Sequence, residues 1–155
     1  MVWLDELESV CRSWEGTPYR HSAAMRGPRG GVDCRYFVMS VLDNLMDVRR
    51  PLPPPLPPMT SAHARNIAVR SVRQIVERYP YEVFRQGSRP EPGDVVLFSF
   101  FSTNAPTHVV IMGAERNVAW HSMQPTGVCR TSVEQWDSVV RIWRCTAKES
   151  WRRRW

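Results

Sequence analysis

The sequence predicts an α+β fold in which helices come first and an antiparallel sheet follows. Three observations carry that prediction. The first half holds apolar residues at helical spacing, the second half holds short apolar runs divided by turn residues, and the pattern changes once, at the "EPGD" turn of Glu91 to Asp94. With 155 residues, the chain has the size of one core, so it is expected to be a single domain over 1–155.

The elements follow in order. "MVWLDELESVCRSW" carries the stripe Val2, Leu4, Leu7, Val10, Cys11 and Trp14 of an amphipathic helix. Its early acidic residues and lack of an apolar core segment are unlike a secretory signal peptide, and no run of 18 apolar residues suits a membrane span. In "GGVDCRYFVMSVLDNL", Phe37, Val38, Val41, Leu42 and Leu45 form the next buried stripe, Asp33 is the natural N-cap, and Cys34 is the first helical residue. Gly30 and Gly31 let the incoming chain turn tightly in front of that helix. "PLPPPLPP", Pro51 to Pro58, reads as a stiff polyproline II connection, with a ligand for a proline-binding module as the sharper alternative. In "SAHARNIAVRSVRQIVERY", Ala68, Val72, Ile75, Val76 and Tyr79 are expected inside, with Arg65, Arg70, Arg73 and Arg78 on a solvated side. Strands are expected at Val95 to Phe100, from His108, around Ala119, near Val128, and from Val139 to Trp143.

The chemistry gathers at Cys34. A thiol in the first turn of a helix sits at the positive end of the dipole, which favours thiolate, and the same amides point at any oxyanion forming beside the sulfur. A free cysteine serves as readily as a small buried hydrophobe, so the stretch alone leaves both readings open. A nucleophile needs a base. Of His21, His63, His108 and His121, the pair His108 and His121 lies thirteen residues apart on successive strands, a spacing that suits a hairpin with adjacent imidazoles. This makes a Cys, His, His triad, with His108 as base and His121 as orienter. The plainer alternatives are a strand-start histidine bonded to a loop carbonyl and a satisfied core histidine beside Trp120. His63 is read as solvated.

Four blocks in order, "WEGTPYRHSAAMRGPRGGVDCRYFV", "PEPGDVVLF", "THVVIMG" and "VAWHSMQPTGVCRTS", resemble the NlpC-type family of bacterial cell-wall cysteine peptidases, which share a papain-like fold. The similarity runs from Trp14 to Ser132 and is greatest to the tail-associated branch encoded by bacteriophages and gene transfer agents. It implies N-terminal helices packed on a C-terminal antiparallel sheet, Cys34 as nucleophile, His108 as general base, His121 as orienter and Tyr19 with its hydroxyl near the scissile carbonyl. The implied reaction is hydrolysis of an amide in the peptide stem of peptidoglycan, commonly from D-glutamate to a diamino acid, without a cofactor. Where the family has a small residue and then glycine after the cysteine, this chain has Arg35 and Tyr36, so the cleft is expected to be reshaped. A tyrosine there must project outward or displace a neighbour. Tyr19, Asp33, Arg35 and Tyr36 are the expected oxyanion- and substrate-side residues.

Alternatives stand beside this reading: a docking protein of a phage tail that keeps the fold without turnover, or an acyltransferase or amidase using the same triad. Cys11, Cys34, Cys129 and Cys145 show no C-x-x-C pair, so neither zinc nor a disulfide framework is expected, and Cys129 and Cys145 are read as buried thiols. The net charge of +6 rests on arginine, with Lys148 the only lysine. The arginines are spread along the chain rather than gathered, so no nucleic-acid partner is expected. The tail "WRRRW", 151–155, suits an anionic surface or a tail partner, or is a frayed terminus. The expected partners are a peptidoglycan stem peptide and tail proteins, the protein being a monomer or part of a larger assembly. The expected location is a virion tail or, after release, the cell wall or periplasm.

Overall fold

The computed structural model describes residues 2–57, 64–84, 89–99, 108–133 and 138–146. His63, Pro58 at the end of the Pro51–Pro58 run, Phe100, Lys148 and the "WRRRW" tail lie outside the described residues. The order of elements is α1 (Val2–Arg12), β1 (Ala24–Met25), β2 (Gly31–Val32), α2 (Cys34–Met46), α3 (Ala64–Arg78), β3 (Tyr81–Phe84), β4 (Val95–Ser99), β5 (His108–Met112), β6 (Val118–Met123), β7 (Gly127–Ser132) and β8 (Ser138–Cys145). The α+β expectation holds. Two features were not foreseen: the small β1–β2 hairpin and β3, which pairs antiparallel with β8.

The main sheet has the order β3-β8-β4-β5-β6-β7, and every adjacent pair in it is antiparallel. Strand alternation divides its apolar residues between two clusters. Val95, Leu97, Val109, Ile111 and Trp120 join Leu7, Cys11, Phe37, Val38, Val41 and Leu42 from α1 and α2 in the larger core. Val96, Val110, Met112, Ala119 and Ile142 form the smaller one.

Helix α2 is more enclosed than a one-sided stripe. Every residue from Cys34 to Met39 is buried, and exposure returns only toward its C-terminal half, at Asn44. Its start is the expected one: Asp33 is the N-cap in extended conformation and accepts from the Tyr36 N–H at 2.8 Å. Its end is set by Asp47 in the left-handed region, φ 54°, whose N–H reaches back to the carbonyls of Asp43 and Asn44. Glu8 binds α1 to the β5–β6 turn, its Oε1 accepting from the Ala114 N–H at 2.9 Å and the Trp120 indole at 3.2 Å.

Arg78 corrects the expected solvated side of α3. Its side chain is 7% exposed and forks onto Asp43 with Nε–Oδ1 at 2.9 Å and Nη2–Oδ2 at 2.8 Å, while also donating to the Pro51 and Arg50 carbonyls. The approach of α3 to α2 brings the Asp43 carboxylate close, and a forked, charge-assisted pair there outweighs leaving the guanidinium hydrated. Arg70 and Arg73 are exposed as expected. Among the described residues, no helix is long and apolar enough to cross a membrane.

Candidate active site

The site is assembled where the start of α2 meets β5 and β6. The approach to Cys34 is tight: a Cβ on Gly30 would lie 1.9 Å from the Met25 carbonyl oxygen, so only glycine lets the β1–β2 hairpin close there. Asp33 locks this approach to the helix, since its Oδ2 accepts from the Ser22 N–H at 2.8 Å while Oδ1 caps Tyr36. Ser122 of β6 donates to the Val32 carbonyl at 2.6 Å and fixes the hairpin against the sheet. Residues 16–17 run beside β7 through Gly16 N–H to Val128 O and Val128 N–H to Thr17 O. Tyr19 continues from there into a bridge with Val32.

The two histidines meet as the hairpin spacing predicted. β5 pairs with β6 through Ile111↔Trp120 and Met112↔Ala119, and continuing that register sets His121 opposite Val110 and diagonal to His108 on the same face. His108 Nε2 lies 2.8 Å from His121 Nδ1, with the rings edge to face. The far nitrogen, His121 Nε2, is 2.9 Å from Thr131 Oγ1. If His108 donates from Nε2 and His121 donates from Nε2 to Thr131, both rings are neutral and His108 Nδ1 is left as an acceptor, the tautomer a general base requires. Burial keeps both rings neutral: it holds His121 down to about 4, and it holds His108 well below the ordinary imidazole value, with the His121 charge adding to the effect.

Cys34 stands at the first turn of α2 with 5% exposure. The backbone N–H of Val109, the residue after His108, and that of Arg35 face its sulfur. The expectation of a thiolate favoured by the helix dipole is corrected here. Burial first, and the Asp33 carboxylate second, push the thiol up to about 12, and the two amides and the Arg35 charge offset only part of that. At neutral pH the Cys34 thiol and the two imidazoles are therefore uncharged.

Tyr19 is half-buried, and its hydroxyl is pushed up to about 12 by burial, by Cys34 and by Asp33, against a lowering by Arg35. It is a hydrogen-bond donor at neutral pH and lies in the same electrostatic neighbourhood as Cys34. Tyr36 is buried, and its hydroxyl donates to the Pro53 carbonyl at 2.7 Å, so this residue packs under the proline-rich connection rather than projecting outward. Arg35 is buried as well, with Nη1 3.3 Å from Gln74 Oε1 and its guanidinium 4.5 Å above the Tyr36 ring.

Two residues at the site were missed in the sequence. Thr131 closes the histidine relay. Cys129, expected to be a buried thiol, is half-exposed, and its sulfur lies 3.6 Å from His121 Nε2. The signal was register: Cys129 stands opposite His121 across β6 and β7, and Thr131 is two residues along on the same face. Cys11 is buried, and so is Cys145, as expected.

By sequence, the chain matches no protein-family model and none of the curated proteins compared with it. By structure it is similar to an NLP/P60-family protein from Staphylococcus aureus described as similar to lipoprotein, with a TM-score of 0.55 and 20% identity, covering 92% of this chain and 41% of that one. It is also similar to NlpC1 from Trichomonas vaginalis, with a TM-score of 0.59 and 15% identity, covering 90% of this chain and 45% of the other. A third is the NlpC/p60 domain of the peptidoglycan hydrolase SagA, with a TM-score of 0.56 and 19% identity, covering 89% of this chain and 95% of that domain. The chain thus spans less than half the length of the first two and nearly all of the third. The fold is that of NlpC/P60 domains.

Proposed function

We propose that the chain is a cysteine endopeptidase that hydrolyses an amide bond in the peptide stem of bacterial peptidoglycan. The observation that carries this reading is the His108–His121 contact of 2.8 Å, set one residue from the Val109 amide that faces the Cys34 sulfur. A relay of neutral imidazoles ending on Thr131 has the form of a base held in one tautomer. The fold shared with a domain of a peptidoglycan hydrolase gives the substrate class its support.

In this mechanism Cys34 Sγ attacks the scissile carbonyl while its proton passes to His108, and the carbonyl oxygen takes the negative charge. The Cys34 N–H and the Tyr19 hydroxyl donate to that oxygen. His108, held by His121, returns the proton to the departing amine as the C–N bond breaks, leaving a thioester. Water then attacks the thioester with His108 as base, and the acid leaves as the thiol is restored. The family resemblance points to the bond between D-glutamate and a diamino acid, and to delivery by a phage tail to the cell wall or periplasm.

A second reading, a tail docking protein of the same fold without turnover, draws on the enclosure of Cys34 and its raised proton affinity. One experiment separates the two: incubation of the protein with defined peptidoglycan fragments and identification of the products by mass. The peptidase reading expects a new acid and a new amine whose masses add up to substrate plus water, absent with Cys34→Ala. Fragments left intact by the wild-type protein would refute it.

A further inference from the structure

Among the described side chains, three arginines are withdrawn from solvent: Arg35, Arg78 and Arg144. Two of them use the guanidinium in the same way. Arg78 sets Nε and Nη2 on the two oxygens of Asp43 at 2.9 and 2.8 Å, and Arg144 sets the same two nitrogens on Asp94 at 3.1 and 3.0 Å. These nitrogens form one edge of the planar group, and their parallel N–H bonds match the two oxygens of a carboxylate.

Arg35 is the most buried of the three, at 4% exposure, and its same edge is empty. Its Nη1 is taken by Gln74 and its face by the Tyr36 ring, but Nε and Nη2 are buried with no hydrogen-bond partner among the described residues. The nearest acid in sequence, Asp33, does not fill the edge: its two oxygens accept from the Ser22 and Tyr36 amides instead. Two unmatched donors on a buried cation are costly to keep unless a ligand completes them. Residue 35 is also the helical neighbour of the nucleophile, and its charge lowers the proton affinity of both Cys34 and Tyr19. Cys34, at 5% exposure, is as enclosed as Arg35, and the guanidinium lies close enough for its charge to act on the sulfur.

We infer that the Nε/Nη2 edge of Arg35 is a carboxylate-binding subsite, which takes a free carboxylate of the substrate peptide close to the scissile amide and so selects anionic peptides. This inference rests on the peptidase reading and adds a specificity-determining residue to it. It also explains the departure at this position, where a small residue would leave no cation beside the sulfur.

The test is the rate of hydrolysis of one stem peptide and of its derivatives in which each free carboxylate in turn is converted to the carboxamide. Wild-type protein should lose about 10- to 100-fold in kcat/KM at one of these positions, the loss of a charge-assisted pair, and little at the others. Arg35→Met should bring the parent peptide down to the level of that carboxamide and erase the preference. Arg35→Lys, a point charge without the fork, should keep part of it. Should Arg35→Met fail to fold, Arg35→Lys and Arg35→Gln carry the same comparison. Hydrolysis of all forms at one rate by the wild-type protein, or a preference unchanged in these variants, overturns the subsite and leaves the peptidase standing. No hydrolysis of any form overturns the peptidase reading, and the subsite with it.

Discussion

Acidification should remove stability that belongs to His121, and the size of the effect follows from its surroundings. The ring is fully buried, with Nδ1 on His108 and Nε2 on Thr131, and burial holds it down to about 4 against an ordinary value of 6.5. The folded state therefore binds this proton less readily than the unfolded chain. The contribution is complete above pH 6.5 and is lost as pH falls through the folded value near 4. At about 1.4 kcal/mol per pH unit, the interval amounts to about 3 kcal/mol. His108 adds a contribution of the same sign that extends lower, since burial, together with the His121 charge, holds it well down. The assay is urea unfolding followed by tryptophan fluorescence at pH 7, 6, 5 and 4, for wild-type protein and His121→Asn. Carboxylates and His108 are present in both, so the difference isolates the His121 imidazole. Wild-type stability should fall by about 3 kcal/mol more than that of the variant. Parallel curves would refute the claim that the His121 ring is held neutral by burial.

Three further outcomes are expected. Alkylation of Cys34 by iodoacetamide should still be rising without a plateau at pH 9 and should trail that of half-exposed Cys129 at pH 8, because burial and Asp33 push the Cys34 thiol up to about 12; peptide mapping that finds Cys34 fastest below pH 8 would contradict this. Thr131→Val should lower kcat by about 10-fold with KM little changed, and Thr131→Ser should restore it, since only a hydroxyl can accept from His121 Nε2; equal kcat in both variants would remove Thr131 from the relay. Arg78→Met should destabilise the fold by about 1 to 2 kcal/mol in denaturant unfolding by leaving the partly exposed Asp43 with the Tyr79 hydroxyl but without its fork, and a change under about 0.5 kcal/mol would show the pair to be dispensable.

What could be read from the sequence was local or repeated along the chain. Asp33 caps α2 as expected because an N-cap needs only its own carboxylate and the next turn. The hairpin spacing of His108 and His121 sufficed to place the imidazoles together, since a strand period of two decides which residues share a face. What escaped depended on partners distant in the chain. Strand β3 is four residues long and exists through pairing with β8, and β1–β2 is a two-residue ladder closed by Gly30. Arg78 seemed solvated because its helical spacing is that of an outer face, whereas Asp43, thirty-five positions away, draws it inward. The protonation of Cys34 went the other way from the helix-dipole argument for the same kind of reason. A dipole is a local property, but the burial that outweighs it is made by the sheet packed over the helix start. Arg35 and Tyr36 were visible as departures, yet their burial and the contacts with Gln74 and Pro53 were not.

The most direct test of the central claim is the single-turnover rate on one stem peptide for wild-type protein, Cys34→Ala, His108→Asn and His121→Asn. A base that moves the proton in both half-reactions cannot be replaced by an amide, while an orienter can be in part. His108→Asn should therefore fall to within about 10-fold of Cys34→Ala, and His121→Asn should keep measurable turnover well above both. Full activity in Cys34→Ala, or a faster His108→Asn than His121→Asn, would contradict the assignment of nucleophile, base and orienter.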